Sequence, residues 1–80
     1  MPDEAIRVDR EVDARGHNCP LPILYAKKAL SGLASGQVLK VLATDPGADR
    51  DFQAFARQTG NTLLQAGREG DAWAFYLRRR

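Results

Sequence analysis

Thiol chemistry in this 80-residue chain rests on a single residue, Cys19. With no second cysteine there is no intramolecular disulfide and no resolving thiol. The chain also has a single histidine, His17, so one Cys and one His leave a zinc ion two ligands short. A Cys–His protease pair fails as well, because no orienting residue is evident and the chain is too short for a substrate cleft. No apolar run is long enough to span a bilayer. The start, Met1-Pro2-Asp3-Glu4, lacks the basic and apolar regions of a signal peptide. A lone reduced cysteine without such a signal leads to an expectation of the cytoplasm. Aromatic residues are few and none alternates with the basic ones, so a base-stacking platform is missing. There is no internal repeat and no low-complexity segment.

What the chain does have is Cys19-Pro20-Leu21-Pro22, at the junction of an expected strand and an expected helix. Each proline fixes its own φ and biases the residue before it toward extended geometry. After Pro22, Ile23, Ala26, Leu30 and Leu33 recur at helical spacing. Cys19 is therefore expected at or near the N-cap, with Pro20 near the first helical position. The free N–H groups and positive dipole end there favour a thiolate, so the thiol pKa is expected to fall. A lone cysteine is otherwise often a small core hydrophobe. Here the flanking prolines and the helix start favour an exposed, rigidly held sulfur.

The elements follow in order. Ile6, Val8, Val12 and Ala14 share one parity and predict a strand ending near Ala14, with Arg10 interrupting its face, so only part of the stretch is expected to pair. Arg15-Gly16-His17-Asn18 is the turn into Cys19, and Gly16 supplies its backbone freedom. The first helix is predicted from Pro20 to Leu33, ended by Gly32 or Gly36 as a left-handed cap. Gln37 to Thr44 reads as a central strand, with Lys40 reaching solvent. Asp45-Pro46-Gly47 turns the chain, and Asp45 or Asp49 caps a second helix from Asp49 to Thr59. Phe52, Phe55, Ala56 and Thr59 form its inner face, and Gly60-Asn61 stops it. Thr62 to Ala66 is the third strand. Trp73, Phe75 and Leu77 alternate on a fourth, after a turn at Arg68-Glu69-Gly70-Asp71. Two helices cannot cover both faces of four strands. The expected fold is a two-layer α/β sandwich, β-α-β-α-β-β, with a mixed sheet and both helices on one face. Eighty residues make one domain, 1–80, with its core at about 8–79.

The stretch Asp13-Ala14-Arg15-Gly16-His17-Asn18-Cys19-Pro20-Leu21-Pro22 resembles the opening motif of the TusA/SirA-like sulfur carrier proteins. The resemblance continues through Gly36-Gln37, Asp45-Pro46, Arg50-Asp51 and the closing hairpin. It implies the same two-layer fold and a cysteine, matched by Cys19, that carries sulfane sulfur as a persulfide. It further implies a cysteine desulfurase or rhodanese-like donor and an acceptor protein downstream, toward tRNA 2-thiolation or within sulfur oxidation. It calls for no cofactor and no metal. Asn18 stands where the tRNA-thiolation branch tends to have a basic residue, and Leu21 where that branch often has glutamate. Both flank the sulfur and are expected to touch partners, so these departures leave the pathway open.

Other residues enter as modulators or contacts. His17, two residues before Cys19, is placed to modulate the thiol or to be a solvated turn residue. Lys27, Lys28, Arg50 and Arg57 are read either as a basic face near the sulfur that docks an acidic partner or as ordinary solvated helix surface. Tyr76 is expected on the open sheet face. Net charge is +2 and the chain ends Arg78-Arg79-Arg80. The element order also resembles the C-terminal domain of a translation initiation factor. RNA binding is therefore a second function class, which fold analogy alone supports weakly. A redox regulator with an oxidisable Cys19 is a third.

Overall fold

The computed structural model describes residues 6–80. Residues 1–5, expected to be a loose end, lie outside the described residues. The elements run β1 (Arg10–Ala14), α1 (Leu21–Ser31), β2 (Val38–Ala43), α2 (Ala48–Thr59), β3 (Thr62–Glu69) and β4 (Ala72–Arg78). The four strands form one sheet in the order β1-β2-β4-β3. β1 pairs parallel with β2, whereas β4 is antiparallel to both β2 and β3. α1 packs on β1 and β2, and α2 packs on β3 and β4. The result is the expected two-layer α/β sandwich, with a mixed sheet and both helices on one face.

Strand parity explains the core. Val12, Ala14, Leu39, Val41, Ala43, Phe75 and Leu77 point to the helices and meet Ala26, Leu30, Phe52 and Phe55. At the centre, Phe52 stacks on Phe75 with centroids 4.5 Å apart. Both rings are fully buried. β3 holds a bulge at Leu64, between the pairs Leu63↔Leu77 and Gln65↔Tyr76. The extra residue switches parity, so Leu63 and Ala66 both pack on the core. On the open face the register sets Lys40 beside Tyr76 and Leu42 beside Ala74. The long side chains shade the short ones, so Leu42 and Ala74 are buried without a helix above them. Tyr76 lies on this face as expected. Lys40 does not simply reach solvent. Its Nζ lies 2.9 Å from Glu69 Oε1, and its side chain is only 16% exposed.

The element boundaries show what local chemistry decides. Only part of the Ile6–Ala14 stretch is paired, as expected: β1 starts at Arg10, because Asp9 terminates the ladder. Its N–H donates to the Val38 carbonyl at 2.9 Å and its Oδ2 accepts from the Val38 N–H at 2.8 Å. Arg10 breaks the apolar face as read, and its guanidinium lies against Gly32 at the end of α1. A cation is favoured there by the helix dipole. Gly32 ends α1 with φ −93°, so it is not the left-handed cap expected, and Gly36 takes φ +87° in the turn that follows. The cap of α2 is Gly47 rather than Asp45 or Asp49. Asp45 still serves that end, its Oδ2 accepting from the Gly47 N–H at 3.0 Å. Gly60 closes α2 in the left-handed conformation. β3 continues past Ala66 to Glu69, up to a two-residue turn led by Gly70 at φ +65°.

The Phe52–Phe75 stack supports both layers at once. A chain of this length has about 4 to 12 kcal/mol of stability in all. Phe75→Ala is expected to remove about 3 to 5 kcal/mol of it. Trp73→Ala, at a half-buried position, is expected to cost less. Urea melts of the two variants check the order; equal losses would contradict the placement of the core.

Candidate functional site

β1 and β2 run parallel, so both carboxyl ends, and the two loops that follow them, emerge at one edge of the sheet. Crevices beyond the carboxyl ends of parallel strands are a common place for chemistry. One loop carries residues 15–20 into α1 and the other carries residues 44–47 into α2. They are tied directly: the Gly16 N–H donates to Thr44 Oγ1 at 2.9 Å.

The first loop is built residue by residue. Asp13 accepts from Arg15 Nε and Nη2, both at 2.8 Å, and from the Arg15 backbone N–H at 3.1 Å. These bonds hold the Asp13 carboxyl at about 2, well below the usual range. The His17 N–H donates to the Ala14 carbonyl at 3.2 Å and closes a four-residue turn. Gly16 occupies its third position at φ +83°, which a type II turn requires. The Asn18 carbonyl then accepts from the Leu21 N–H at 2.9 Å. Cys19 stands on this corner and is exposed.

Pro20 is the N-cap of α1 and Pro22 its second residue, so Cys19 precedes the cap by one position. Pro20 and Pro22 have no N–H, Leu21 gives its own to Asn18, and Leu24 gives its own to the Pro20 carbonyl. Of the first-turn donors, this leaves the Ile23 N–H free to stabilise an anion. The expectation of a lowered thiol pKa is therefore reversed. The thiol pKa is raised, first by the Asp51 carboxylate, which favours the protonated thiol, and then by partial desolvation. The charges of Asp51 and Asp45 act the same way, and Arg50 opposes them.

The other residues named from sequence are distributed as follows. The His17 ring is half-buried and meets Tyr25 edge-on at 5.2 Å, on the β1 side of the loop. It lines a groove of about 450 Å³ with Arg10, Val12, Tyr25 and Lys28. Lys27 faces a different groove, with Thr59, Arg79 and Arg80. The two lysines thus diverge to opposite sides of α1. Arg57 is seven residues beyond Arg50, about 10 Å farther along α2. Only Arg50 of the four cations stands near the sulfur, so they do not form one basic face there. Leu21 and Leu24 are exposed, at 38% and 50%, and make an apolar patch beside Cys19. Pro22 is buried under the same turn. The influence of Asp51 and Asp45 on the thiol was not expected. Its signal was the Asp45 turn and the acidic first turn of α2, at a helix start that the parallel β1 and β2 bring to the same edge. Among the described residues, no three His, Cys, Asp or Glu side chains come together as a metal site. No helix among them is long and apolar enough to cross a membrane.

The family model described as Sulfurtransferase TusA matches residues 10–79. The chain belongs to the TusA family of sulfur carriers. It is 56% identical over 71 residues to the sulfur carrier protein TusA of Allochromatium vinosum, covering 89% of this chain and 93% of that one. It is 59% identical over 58 residues to a putative sulfur carrier protein of Neisseria meningitidis, covering 72% of this chain and 78% of that one. A crystal structure of a SirA-like protein from Desulfitobacterium hafniense superposes with a TM-score of 0.76. That likeness has 27% sequence identity and covers 86% of this chain and 95% of that one.

Gly16 tests whether the loop geometry is set by φ or by space. A Cβ there would meet nothing within 4 Å. Gly16→Ala is therefore expected to cost about 1 to 2 kcal/mol through the left-handed conformation alone. Chemical denaturation measures it, and a neutral result would show that the turn is not held as described.

Proposed function

We propose that Cys19 accepts sulfane sulfur as a persulfide from a cysteine desulfurase or rhodanese-like donor and passes it to an acceptor protein. The span 1–80 works as one TusA-like domain, in the cytoplasm, where a lone thiol stays reduced. The route ends in tRNA 2-thiolation or in another sulfur-transfer pathway. The observation that carries this reading is the exposed, solitary thiol on a rigid corner. Gly16, Pro20 and Pro22 shape that corner, and the Leu21–Leu24 patch lies beside it.

The chemistry is a displacement at sulfur. The Cys19 thiolate attacks the outer sulfur of the donor persulfide, R–S–SH. A bond forms from Cys19 Sγ to that sulfur, the donor S–S bond breaks, and the donor leaves as R–S⁻. The transferred sulfur takes its S–H proton with it, so no oxidant or reductant is consumed. An acceptor thiolate later repeats the attack on the outer sulfur of the Cys19 persulfide. In thiol–disulfide exchange, rates follow thiolate fraction and access, and the same dependence applies here. A second cysteine within reach would form a disulfide and expel sulfide, so a solitary thiol suits a carrier. Asn18 and Leu21 border the sulfur and serve as partner contacts.

The test is the intact mass after incubation with a cysteine desulfurase, its cofactor and free cysteine. A gain of one sulfur atom is expected, reversible by reductant and absent in Cys19→Ser. The same gain in Cys19→Ser would overturn the assignment. No gain from a desulfurase, a rhodanese or thiosulfate would favour an RNA-binding or redox role.

A further inference from the structure

β1 stands at one edge of the sheet, and β2 is its only neighbour among the described strands. The outer side of its backbone is therefore bare, and a bare strand edge templates the addition of an extended chain. Beside this edge runs the groove of about 450 Å³ between β1 and α1. Val12 gives it apolar surface, and the edge-on pair of His17 and Tyr25 forms an aromatic wall at the end nearer the sulfur loop. Arg10 and Lys28 supply cations at the other end. They gather there because α1 ends there: Lys28 lies in its last turn, and a Cβ on Gly32 would stand 3.1 Å from Arg10 Nη1. The dipole of a helix C-terminus attracts both, yet offsets only about half a charge.

Neither cation has a carboxylate partner among the described residues. The acids nearest along the chain are engaged or turned away. Asp13 also lines the groove, but Arg15 holds it with two bonds of 2.8 Å. Asp9 accepts from the Val38 N–H and lies 3.7 Å from Arg7. Glu11 pairs with Lys40 in the register and so faces the open side of the sheet. The groove thus keeps a positive charge that no described group neutralises. From Arg10 to Ala14 its edge is about 13 Å long, room for a segment of about five extended residues.

We propose that this groove binds an extended acidic segment of a partner protein, which adds to the bare edge of β1 as a further strand and sets a carboxylate against Arg10 and Lys28. Main-chain bonds to the edge supply affinity, and the groove reads alternate side chains: an acid at the cationic end and an apolar residue over Val12. RNA would satisfy the charge but has no amide backbone to offer a strand edge, and two cations hold a polyanion weakly. His17 belongs both to the groove wall and to the turn that leads into Cys19. A segment seated here ends beside the sulfur-bearing corner, so its owner is held next to the thiol by surface that the thiol does not provide. The groove stands independently of the persulfide reading.

The experiment titrates the isotope-labelled whole protein with acetyl-Glu-Thr-Val-Thr-Glu-amide and follows the amide shifts. This peptide sets a glutamate at the Arg10 end in either strand direction. Saturable shifts are expected at β1, His17, Tyr25 and Lys28, with slower hydrogen exchange on β1. Arg10→Glu and Lys28→Glu are each expected to weaken binding about threefold to tenfold, through one lost ion pair and one new repulsion. Lys28→Glu, on an exposed helix face, keeps the test open if Arg10→Glu does not fold. Arg57→Glu makes the same charge change on α2 and is expected to alter binding by less than about twofold. Glutarate, with the charge and no peptide backbone, is expected to leave β1 exchange unchanged. No saturable shifts on β1 would overturn the proposal. An equal loss in Arg57→Glu would reduce the effect to net charge, and protection of β1 by glutarate would remove the strand edge from it; either result overturns the proposal too. Tighter binding of a single-stranded oligoadenylate at the same residues would give the groove to RNA instead. A dimer in sedimentation with β1 already protected would give the edge to a second copy of the chain. Cys19→Ser is expected to bind the peptide as wild type does. Lost peptide binding with normal sulfur loading therefore sinks this inference alone, and failed loading with normal peptide binding sinks only the carrier reading.

Discussion

The parallel pairing of β1 with β2 is the constraint on which the sulfur end depends. Antiparallel strands would have sent their following loops to opposite edges. Parallel ones deliver both loops, and both helix starts, to the same edge. The Gly16–Thr44 hydrogen bond then fixes the loops against each other. From that arrangement follow the exposed corner under Cys19, the acidic start of α2 beside it and the apolar patch on α1. The core that holds the pairing in place is modest in size and centred on two stacked phenylalanines. A small domain with such a core can present a side chain firmly at its rim but cannot enclose a substrate. Carrying a reactive atom between larger partners is a task that suits these limits.

The electrostatics of the corner depart from a simple helix-terminus picture. A helix start usually offers several free N–H groups to an anion. Here the same prolines that stiffen the corner remove donors from it, and the Asn18–Leu21 bond consumes another. The dipole is left with little to act through, and the carboxylates of Asp51 and Asp45 push the thiol pKa up. Rigidity and anion stabilisation are thus in competition within Cys-Pro-Leu-Pro. In the free protein, rigidity prevails.

Much of this was legible in the sequence because it depends on local chemistry. The Cys-Pro-Leu-Pro stretch announced a helix start, and the alternation of Trp73, Phe75 and Leu77 announced a strand with one buried face. Phe52 and Phe55 fell on the inner side of α2 as their spacing required. The bulge at Leu64 was not legible, since nothing in Thr62 to Ala66 marks an extra residue. Which part of the Ile6–Ala14 stretch would pair was not legible, because the termination by Asp9 needs Val38, far along the chain. Lys40 was read as solvated because its partner, Glu69, belongs to another strand. For the same reason the sequence concealed the influence of Asp51 on Cys19. The two residues are distant in sequence, and their helix starts share an edge only because β1 and β2 run parallel. That influence reversed the expected direction of the thiol pKa. Spacing alone had also suggested a common basic face for Lys27 and Lys28, but adjacent residues on a helix do not share a face.

The central claim is that sulfur resides on Cys19 only in transit. It is tested most directly by loading the carrier with labelled sulfur, removing the donor, and mixing the carrier with a downstream sulfurtransferase that has an accessible thiol. The account predicts that the label moves to the acceptor, one sulfur per carrier, and leaves Cys19 as an intact thiol ready to be loaded again. Label that stays on Cys19, or that leaves as free sulfide while the acceptor remains unlabelled, would contradict it.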